Sequence, residues 1–203
     1  MPASDLTSYL PPPILASASP RRRQWMEALQ IPFEVCAPEL DETPLPGEEP
    51  GAMVARLARA KAELVARANP GRWVIAADTT VAVDHHILGK PVDEADAARM
   101  LMLLQGRSHQ VHTGLCVRKN DEIHTLVDTA QVHIRPLTRP QAEWYANTGE
   151  PMDKAGAYAA QGIAALFIER IEGSFACVMG FPVERFAELA RRLGLLRNWL
   201  GMP

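Results

Sequence analysis

The chain has 203 residues, and 47% of them are hydrophobic, which is enough to form the core of a domain without disulfide or metal staples. Its 21 Lys and Arg residues against 24 Asp and Glu residues give a formal net charge of −3, without the basic excess typical of an extended nucleic-acid-binding surface. No apolar run approaches the roughly 18 residues of a membrane-spanning helix, and we see no signal-peptide pattern, so we predict a cytoplasmic protein without a membrane or nucleic-acid partner.

The sequence predicts short strands and two helices in the first third of the chain. Ser19 stands where a helix N-cap belongs, with Pro20 at the first helical position. Apolar residues that recur every three or four positions predict the second helix. In chain order, the predicted elements are an extended lead-in over 1–13, a strand over 14–16, the helix that begins at Pro20, a strand over 31–37, a proline-rich acidic loop over 38–50 and a helix over 50–69.

The rest of the chain mixes strands and helices, which predicts an α/β or α+β class. The unbroken apolar run over 73–77 is typical of a buried strand, which we expect to end at Asp78. The later predictions are a hairpin of 81–83 and 87–88, a helix from Asp93 through Gln105, strands over 109–118 and 122–134 around an Asn120-Asp121 turn, a helix from Thr138 to about 147, a strand over 163–171 and an amphipathic helix from Val183 to Leu193.

The three cysteines, Cys36, Cys116 and Cys177, are isolated in the sequence and odd in number. This spacing indicates neither a disulfide framework nor a thiolate zinc site. We expect all three to be buried as small hydrophobic residues in a reducing compartment.

The segment from Ser17 to Arg23 is a candidate phosphate-binding site. A predicted strand passes directly into a helix whose first turn carries three arginines. Unpaired N–H groups at a helix N-terminus, with hydroxyl and guanidinium groups beside them, hold phosphate oxygens well. The alternative is an ordinary capped helix with a solvated basic turn, and the Walker pattern of a P-loop is missing.

Asp78 is a candidate metal ligand or proton acceptor. A carboxylate at the end of an apolar strand is costly unless it has partners, and α/β proteins place ligand-handling groups where buried strands end. The functional interpretation is that Asp78 holds a divalent cation or takes a proton from water. The alternative is an aspartate that only caps a turn.

Two later segments could contact the rest of a ligand. Lys90 lies between Gly89 and Pro91 on a predicted tight turn, although most such lysines are simply solvated. Small residues over 149–158 allow close backbone approach, and Gln161 offers a paired donor and acceptor suited to a base edge. The alternative for this second segment is a glycine-rich connection between a helix and a strand.

Taken in this order, the four segments resemble the Maf family of nucleotide pyrophosphatases. The resemblance covers about residues 14 to 196, and its specificity comes from the joint order and spacing of the motifs. The segments that carry it are 14–22, 77–79, 88–91, 106–109, 113–114, 150–158, 161–162, 173–174 and 180–182.

The resemblance implies a two-lobed α/β fold, a mixed sheet with flanking helices similar to the inosine triphosphate pyrophosphatases, with nucleotide bound in the cleft between the lobes. It also implies a single domain over 1–203, a homodimer, and a need for Mg²⁺ or Mn²⁺. By the same resemblance Asp78 is the catalytic acid/base or metal-site carboxylate, and Glu42 is its acidic partner at the metal and the water. The expected triphosphate contacts are Ser17, Arg22, Lys61 and Lys90, and the expected selectivity residues are Arg21, Thr79 and Gln161.

The segment over 153–158 with Gln161 resembles the family branch that acts on dTTP and UTP. In the expected reaction, a divalent ion held by Asp78, Glu42 or both bridges the phosphates, and water activated by one of these carboxylates attacks the α-phosphorus to release pyrophosphate. Two alternatives stay open: a non-catalytic nucleotide-binding regulator of cell division, and a pyrophosphatase for 7-methyl-GTP or purine nucleotides.

Overall fold

The computed structural model describes residues 10–84 and 86–202. The described part of the predicted lead-in, residues 10–13, has no regular secondary structure, and the rest of the lead-in lies outside the described residues. His85, in the predicted hairpin, also lies outside them.

Helices and strands are mixed along the chain, as the sequence predicts. The α-helices are Pro20–Ala28 (α1), Pro50–Ala68 (α2), Glu94–Leu104 (α3), Arg139–Ala146 (α4), Phe175–Val178 (α5), Val183–Arg192 (α6) and Leu195–Leu200 (α7). The strands are Ile14–Leu15 (β1), Glu34–Val35 (β2), Val74–Val83 (β3), His86–Leu88 (β4), Ser108–Lys119 (β5), Glu122–Ile134 (β6) and Ile168–Glu172 (β7). Short 3-10 helices span Glu150–Asp153, Ala155–Ala157 and Ile163–Leu166. Within the described ranges, none of these helices combines the length and the apolar character needed to cross a membrane.

The strands form one mixed sheet in the order β2-β1-β3-β5-β6-β7, with β4 paired to the far end of β3. β1 runs parallel to β2 and β3, and the other pairings are antiparallel. β3, β5 and β6 have 10, 12 and 13 residues. They therefore extend well past the two-residue strands β1 and β2 and carry a second lobe.

Each lobe has its own hydrophobic core. In the first lobe, α2 packs on one face of the sheet, against Val74 and Ala76, while α1, α6 and α7 cover the opposite face, against Ile75 and Ala77. This division follows from the alternation of side chains along β3. In the second lobe, α3 and α4 pack against the far halves of β3, β5 and β6. The predicted two-lobed mixed sheet with flanking helices is confirmed.

The helix starts predicted at Pro20, Asp93 and Thr138 are also confirmed. The Asp93 carboxylate accepts an N–H from the first turn of α3 at 2.7 Å. Thr138 and Gln141 form a capping box at the start of α4. Pro20 is the first residue of α1, although the Ser19 side chain makes no capping hydrogen bond.

Three strand predictions are wrong in their extent. β3 does not end at Asp78 but continues to Val83, because it pairs with β5 along its length, with Asp78 opposite Gly114. The strand predicted over 31–37 is reduced to the two residues of β2. The strand predicted over 163–171 begins only at Ile168. The residues before it form a 3-10 helix instead, because a carboxylate rather than a neighbouring strand takes their first N–H groups.

Two of the three cysteines are buried as predicted. Cys116 and Cys177 are buried free thiols, and burial raises the pKa of Cys177 to about 12, so its thiol is unreactive at neutral pH. The prediction for Cys36 is wrong: its free thiol is exposed, because it directly follows the exposed edge strand β2.

Candidate active site

A cleft of about 750 Å³ opens between the two lobes, within the range of about 300–1,000 Å³ that is usual for small-molecule sites. It is lined by the start of α1, the loop between β2 and α2, the middle of β3 and segment 153–161. The nine residues singled out from the sequence all line it: Ser17, Arg21, Arg22, Glu42, Lys61, Asp78, Thr79, Lys90 and Gln161. The fold therefore brings together residues that are spread over more than 140 positions of sequence.

Lys61 of α2 lies between the two acidic residues. Its Nζ donates to Asp78 Oδ1 at 2.6 Å and lies 2.5 Å from Glu42 Oε1. The side chains of Lys61 and Asp78 are 8% and 9% exposed, whereas the Glu42 side chain, on the loop between β2 and α2, is 48% exposed. A buried charge needs a partner, and here one ammonium group serves both carboxylates.

The two carboxyl groups have pKa values displaced in opposite directions. Burial raises the pKa of Asp78, and the charges of Lys61 and Arg22 offset only part of that effect. Burial also raises the pKa of Glu42, but the hydrogen bond and charge of Lys61 and the charges of Lys90 and Arg22 lower it by more. The pKa of Glu42 therefore lies below its ordinary value. Asp78 is therefore the better proton acceptor, and Glu42 stays ionised.

Arg22 of α1 is a buried cation held at the wall of the cleft. Its Nε donates to the Gly180 carbonyl at 2.9 Å, its Nη1 to Ser17 Oγ at 3.0 Å and its Nη2 to Thr79 Oγ1 at 3.1 Å. Burial lowers the pKa of Arg22 and Asp78 opposes that effect, yet a guanidinium stays charged at neutral pH. Two of its five N–H donors have no partner among the described residues, which suits a phosphate oxygen.

A relay of hydroxyl groups extends this network to residues that sequence reasoning missed. Thr79 Oγ1 lies 3.0 Å from Thr113 Oγ1, and Thr113 donates to the Cys177 carbonyl at 2.8 Å. Each hydroxyl has one hydrogen, so Thr113 must accept from Thr79, and Thr79 in turn accepts from Arg22. The only sequence signal for Thr113, which is fully buried, was its place in a Thr-Gly motif.

The mouth of the cleft combines Asp153, which forms ion pairs with Arg21 and Lys154, with two available polar side chains. Arg21 Nη1 on α1 lies 3.4 Å from Asp153 Oδ2, which belongs to the opposite lobe. Lys90 and Gln161 are exposed, and neither side chain makes a hydrogen bond to another described residue. Both are therefore free to meet a ligand.

Arg56 of α2 holds the loop that carries Glu42. It donates to both Glu48 oxygens at 2.6 Å and to the Thr43 carbonyl at 3.3 Å, and Glu48 also accepts the Leu45 N–H at 3.0 Å. The hydrogen bonds from Arg56 lower the pKa of Glu48 to about 2. No sequence pattern indicates this pair, because nothing in the sequence distinguishes Glu48 from the other acidic residues of the loop.

A buried His–Tyr pair backs the cleft on the side of the second lobe. His109 Nε2 lies 2.7 Å from Oη of Tyr158, which lines the cleft. Burial lowers the pKa of His109 to about 4, so the ring is neutral at physiological pH. His109 is buried and His112 is partly exposed, because residues three apart in a strand lie on opposite faces of β5.

Asp78 and Glu42 fit the divalent cation that the resemblance implies. Each gives one oxygen to Lys61, and the second oxygen of each has no hydrogen-bond partner among residues 10–84 and 86–202. Those residues contain no group of three or more His, Cys, Asp or Glu side chains suited to a metal. Mg²⁺ commonly takes one or two protein carboxylates and completes its shell with water and substrate phosphates, so two carboxylates suffice for an ion that binds together with a triphosphate.

Comparison with known sequences places this chain in a family. A family profile described as Maf-like protein matches residues 12–193. A dTTP/UTP pyrophosphatase of Myxococcus xanthus (strain DK1622) is 48% identical over 186 residues, which cover 92% of this chain and 94% of that relative. Proteins of the same name from Geobacter sulfurreducens and Symbiobacterium thermophilum are 47% and 46% identical, over 90% and 89% of this chain and 97% and 93% of theirs.

The fold has a more distant counterpart among solved structures. The structure of the Staphylococcus aureus Ham1 protein is similar with a TM-score of 0.51 and 16% sequence identity, covering 88% of this chain and 98% of that one. At that identity the likeness concerns the fold alone. The family profile, in contrast, matches most of the chain, and relatives identical at nearly half of their positions cover about nine-tenths of it: the chain belongs to the Maf family.

Proposed function

We propose that this chain is a nucleoside triphosphate pyrophosphatase that cleaves dTTP and UTP to the nucleoside monophosphate and pyrophosphate. The observation that carries the proposal is the cleft in which Lys61 joins Asp78 and Glu42 beside the anchored guanidinium of Arg22. The shared name of the relatives supports the pyrimidine substrates.

The triphosphate is proposed to bind along the cationic side of the cleft. Arg22 offers its two remaining N–H donors, and the start of α1 adds unpaired backbone N–H groups with partial positive charge. Lys61 and Lys90 contribute charges, and Ser17 contributes its hydroxyl. Four negative charges on a bound nucleotide need such compensation in a partly buried site.

The proposed chemistry is an attack of water on the α-phosphorus. The bond between that phosphorus and the bridging oxygen breaks, and pyrophosphate leaves with the oxygen. Asp78 accepts the proton of the water, since it is buried and fixed by Lys61, while the more exposed Glu42 remains ionised beside it. Arg22 and Lys61 stabilise the negative charge that develops on the phosphoryl oxygens. A divalent cation at Asp78 and Glu42 would supply further charge neutralisation of the phosphates.

Selectivity for the base is proposed to come from Gln161 with Arg21 and Thr79. The amide of Gln161 offers a donor and an acceptor side by side, and the uracil and thymine rings present a carbonyl beside an N–H. The homodimer and the cytoplasmic location expected from the sequence remain predictions. The exposed free thiol of Cys36 is compatible with a reducing compartment.

The experiment that tests the function is pyrophosphate release from a panel of nucleotides, with Mg²⁺, with Mn²⁺ and with EDTA. We expect metal-dependent release from dTTP and UTP, with the monophosphate as the second product. Asp78→Asn keeps the size but removes the charge, and we expect it to lower kcat by about a hundred-fold or more. Asp121→Asn, in the exposed turn between β5 and β6, is the matched control and should behave as wild type.

Other outcomes separate the alternatives. Release of pyrophosphate from 7-methyl-GTP or ITP instead of dTTP and UTP would support the proposed reaction but show that the proposed substrates are wrong. Binding of dTTP without release from any nucleotide would favour the non-catalytic regulator. Wild-type turnover by Asp78→Asn would show that the assignment of Asp78 is wrong.

A further inference from the structure

Glu150 lies outside the residues used so far, yet its carboxylate is one of the most heavily bonded in the described chain. Oε1 accepts the Tyr145 hydroxyl at 2.8 Å and the Ala164 N–H at 3.3 Å, and Oε2 accepts the Ile163 N–H at 3.0 Å. These donors come from the end of α4 and from the first turn of the 3-10 helix over 163–166. A carboxylate with three donors is a fixed point in the structure.

The turn that carries Gln161 is built directly on this fixed point. The Gly162 N–H donates to the Ala159 carbonyl at 3.0 Å, which closes a turn with Gln161 at its third position. Tyr145, which is fully buried, accepts the Ala159 N–H on its hydroxyl at 3.1 Å while donating to Glu150. One side of the turn therefore rests on Tyr145 and the other on Glu150.

The Glu150 carboxylate lies so close to Gly162 that it leaves no room for a side chain there. A Cβ built on Gly162 would lie 2.3 Å from Glu150 Oε2 and 2.6 Å from Oε1, far below any real contact. The φ of Gly162 is −112°, so the backbone conformation itself does not demand glycine. The glycine is there because the carboxylate occupies the space that a side chain would need.

From this geometry we infer that Glu150, together with Tyr145, is a positioning residue for base recognition: it holds the turn over 159–162 so that the Gln161 amide stays at the wall of the cleft. The inference rests on the proposed function, in which Gln161 reads the pyrimidine. Glu150 itself does not line the cleft, so it acts only through the turn.

A double-mutant cycle tests the inference. Glu150→Gln keeps the shape but turns one acceptor into an NH₂ group that faces an N–H or O–H donor. We expect it to raise KM for dTTP about ten-fold, with a smaller change in kcat, and to match the effect of Gln161→Ala. If Glu150 acts through Gln161, the double variant should be no worse than Gln161→Ala alone. Additive losses would overturn the inference.

Inhibition by inorganic tripolyphosphate provides the readout that separates positioning from general damage. This probe has no base, so its inhibition constant should stay at the wild-type value in Glu150→Gln. An equal weakening for dTTP and for tripolyphosphate would overturn the inference, because it would mean that the whole cleft is disturbed. Glu143→Gln, an exposed glutamate of α4 that pairs with Arg139, is the matched control.

Tyr145→Phe keeps the inference testable if Glu150→Gln fails to fold, because it removes a single hydroxyl from the same support. The KM for dTTP, the double-mutant cycle with Gln161→Ala and the inhibition constant of tripolyphosphate are then measured on this variant, with the same expected results. If the wild-type chain released no pyrophosphate, the proposed function would fail by itself. The cycle can then be measured on the dissociation constant of dTTP in EDTA, and coupling between positions 150 and 161 would still decide the inference.

Discussion

At the scale of single residues, the Thr79 hydroxyl is less available to a base than its expected role in selectivity requires. Its hydrogen is donated to Thr113, and one lone pair accepts from Arg22. It therefore cannot donate to a base without breaking the relay. A more direct consequence of the geometry is that Thr79 fixes the guanidinium of Arg22, which is proposed to bind phosphate.

Thr79→Val discriminates between these two roles. Valine has nearly the same shape but leaves an Nη2 donor of Arg22 without its acceptor. If Thr79 acts through Arg22, KM for dTTP and the inhibition constant of tripolyphosphate should both rise, by about five- to ten-fold. Thr79→Ser keeps the hydroxyl and should lose little. A loss for dTTP alone would favour direct reading of the base by Thr79, as the sequence resemblance implied.

At the scale of elements, the packing of α2 on β5 places Lys61 at the cleft. Gly114 lies opposite Asp78 in the sheet, and a Cβ there would meet the Val54 carbonyl oxygen at 2.3 Å. The helix backbone therefore sits directly on the strand. Lys61 lies two turns further along the same helix, so its distance to Asp78 depends on this contact.

Gly114→Ala should push α2 away from the sheet. We expect the free energy of unfolding to fall by about 1–3 kcal/mol, as for other overpacked cores, and kcat to fall with it as Lys61 moves. Gly51→Ala on the same helix is the control, because its Cβ would have no neighbour closer than 3.9 Å. A helical alanine in place of glycine stabilises by about 0.4–1 kcal/mol. Urea denaturation measures both variants, and unchanged stability of Gly114→Ala would contradict the close contact.

The sequence predicted those elements whose signals are local. Apolar periodicity and capping residues were enough for α2, α3, α4 and α6, because these signals lie within one or two turns. The length of β3 could not be predicted, since Asp78, Thr79 and Thr80 interrupt its apolar run. The polar groups of Asp78 and Thr79 are tolerated in a central strand because Lys61 and Arg22, distant in sequence, provide partners for them.

The candidate site was predicted in the same partial way. Residues in recognisable motifs lie together in the cleft, and the roles that the resemblance implies for them remain predictions. The supports of those residues carry no motif of their own: the Arg56–Glu48 pair beneath the Glu42 loop and the His109–Tyr158 pair are set by tertiary contacts. Tertiary contacts also explain why the strand predicted over 163–171 begins only at Ile168. No local pattern shows that the Glu150 carboxylate will accept the N–H groups of Ile163 and Ala164.

At the scale of the whole molecule, charge is distributed unevenly. The chain has a formal net charge of −3, yet cations outnumber carboxylates in its cleft, which is lined by Arg21, Arg22, Lys61, Lys90 and Lys154 against Glu42, Asp78 and Asp153. A cleft with an excess of one sign of charge focuses the field and draws in ligands of the opposite sign. A protein that is acidic overall can thus present a polyanion with an attractive site without attracting nucleic acid over its wider surface.

The passage of β3, β5 and β6 through both lobes has a thermodynamic consequence. Neither lobe can unfold without breaking backbone hydrogen bonds in strands that the other lobe shares, so we expect one cooperative transition for the chain, as the predicted single domain requires. In scanning calorimetry the van't Hoff and calorimetric enthalpies should agree, and saturating dTTP in EDTA should move the whole peak upward. Two separable peaks would mean that the lobes melt independently. If they melt as one, a destabilising substitution deep in the core beneath α3 depopulates the intact cleft as effectively as one beside it.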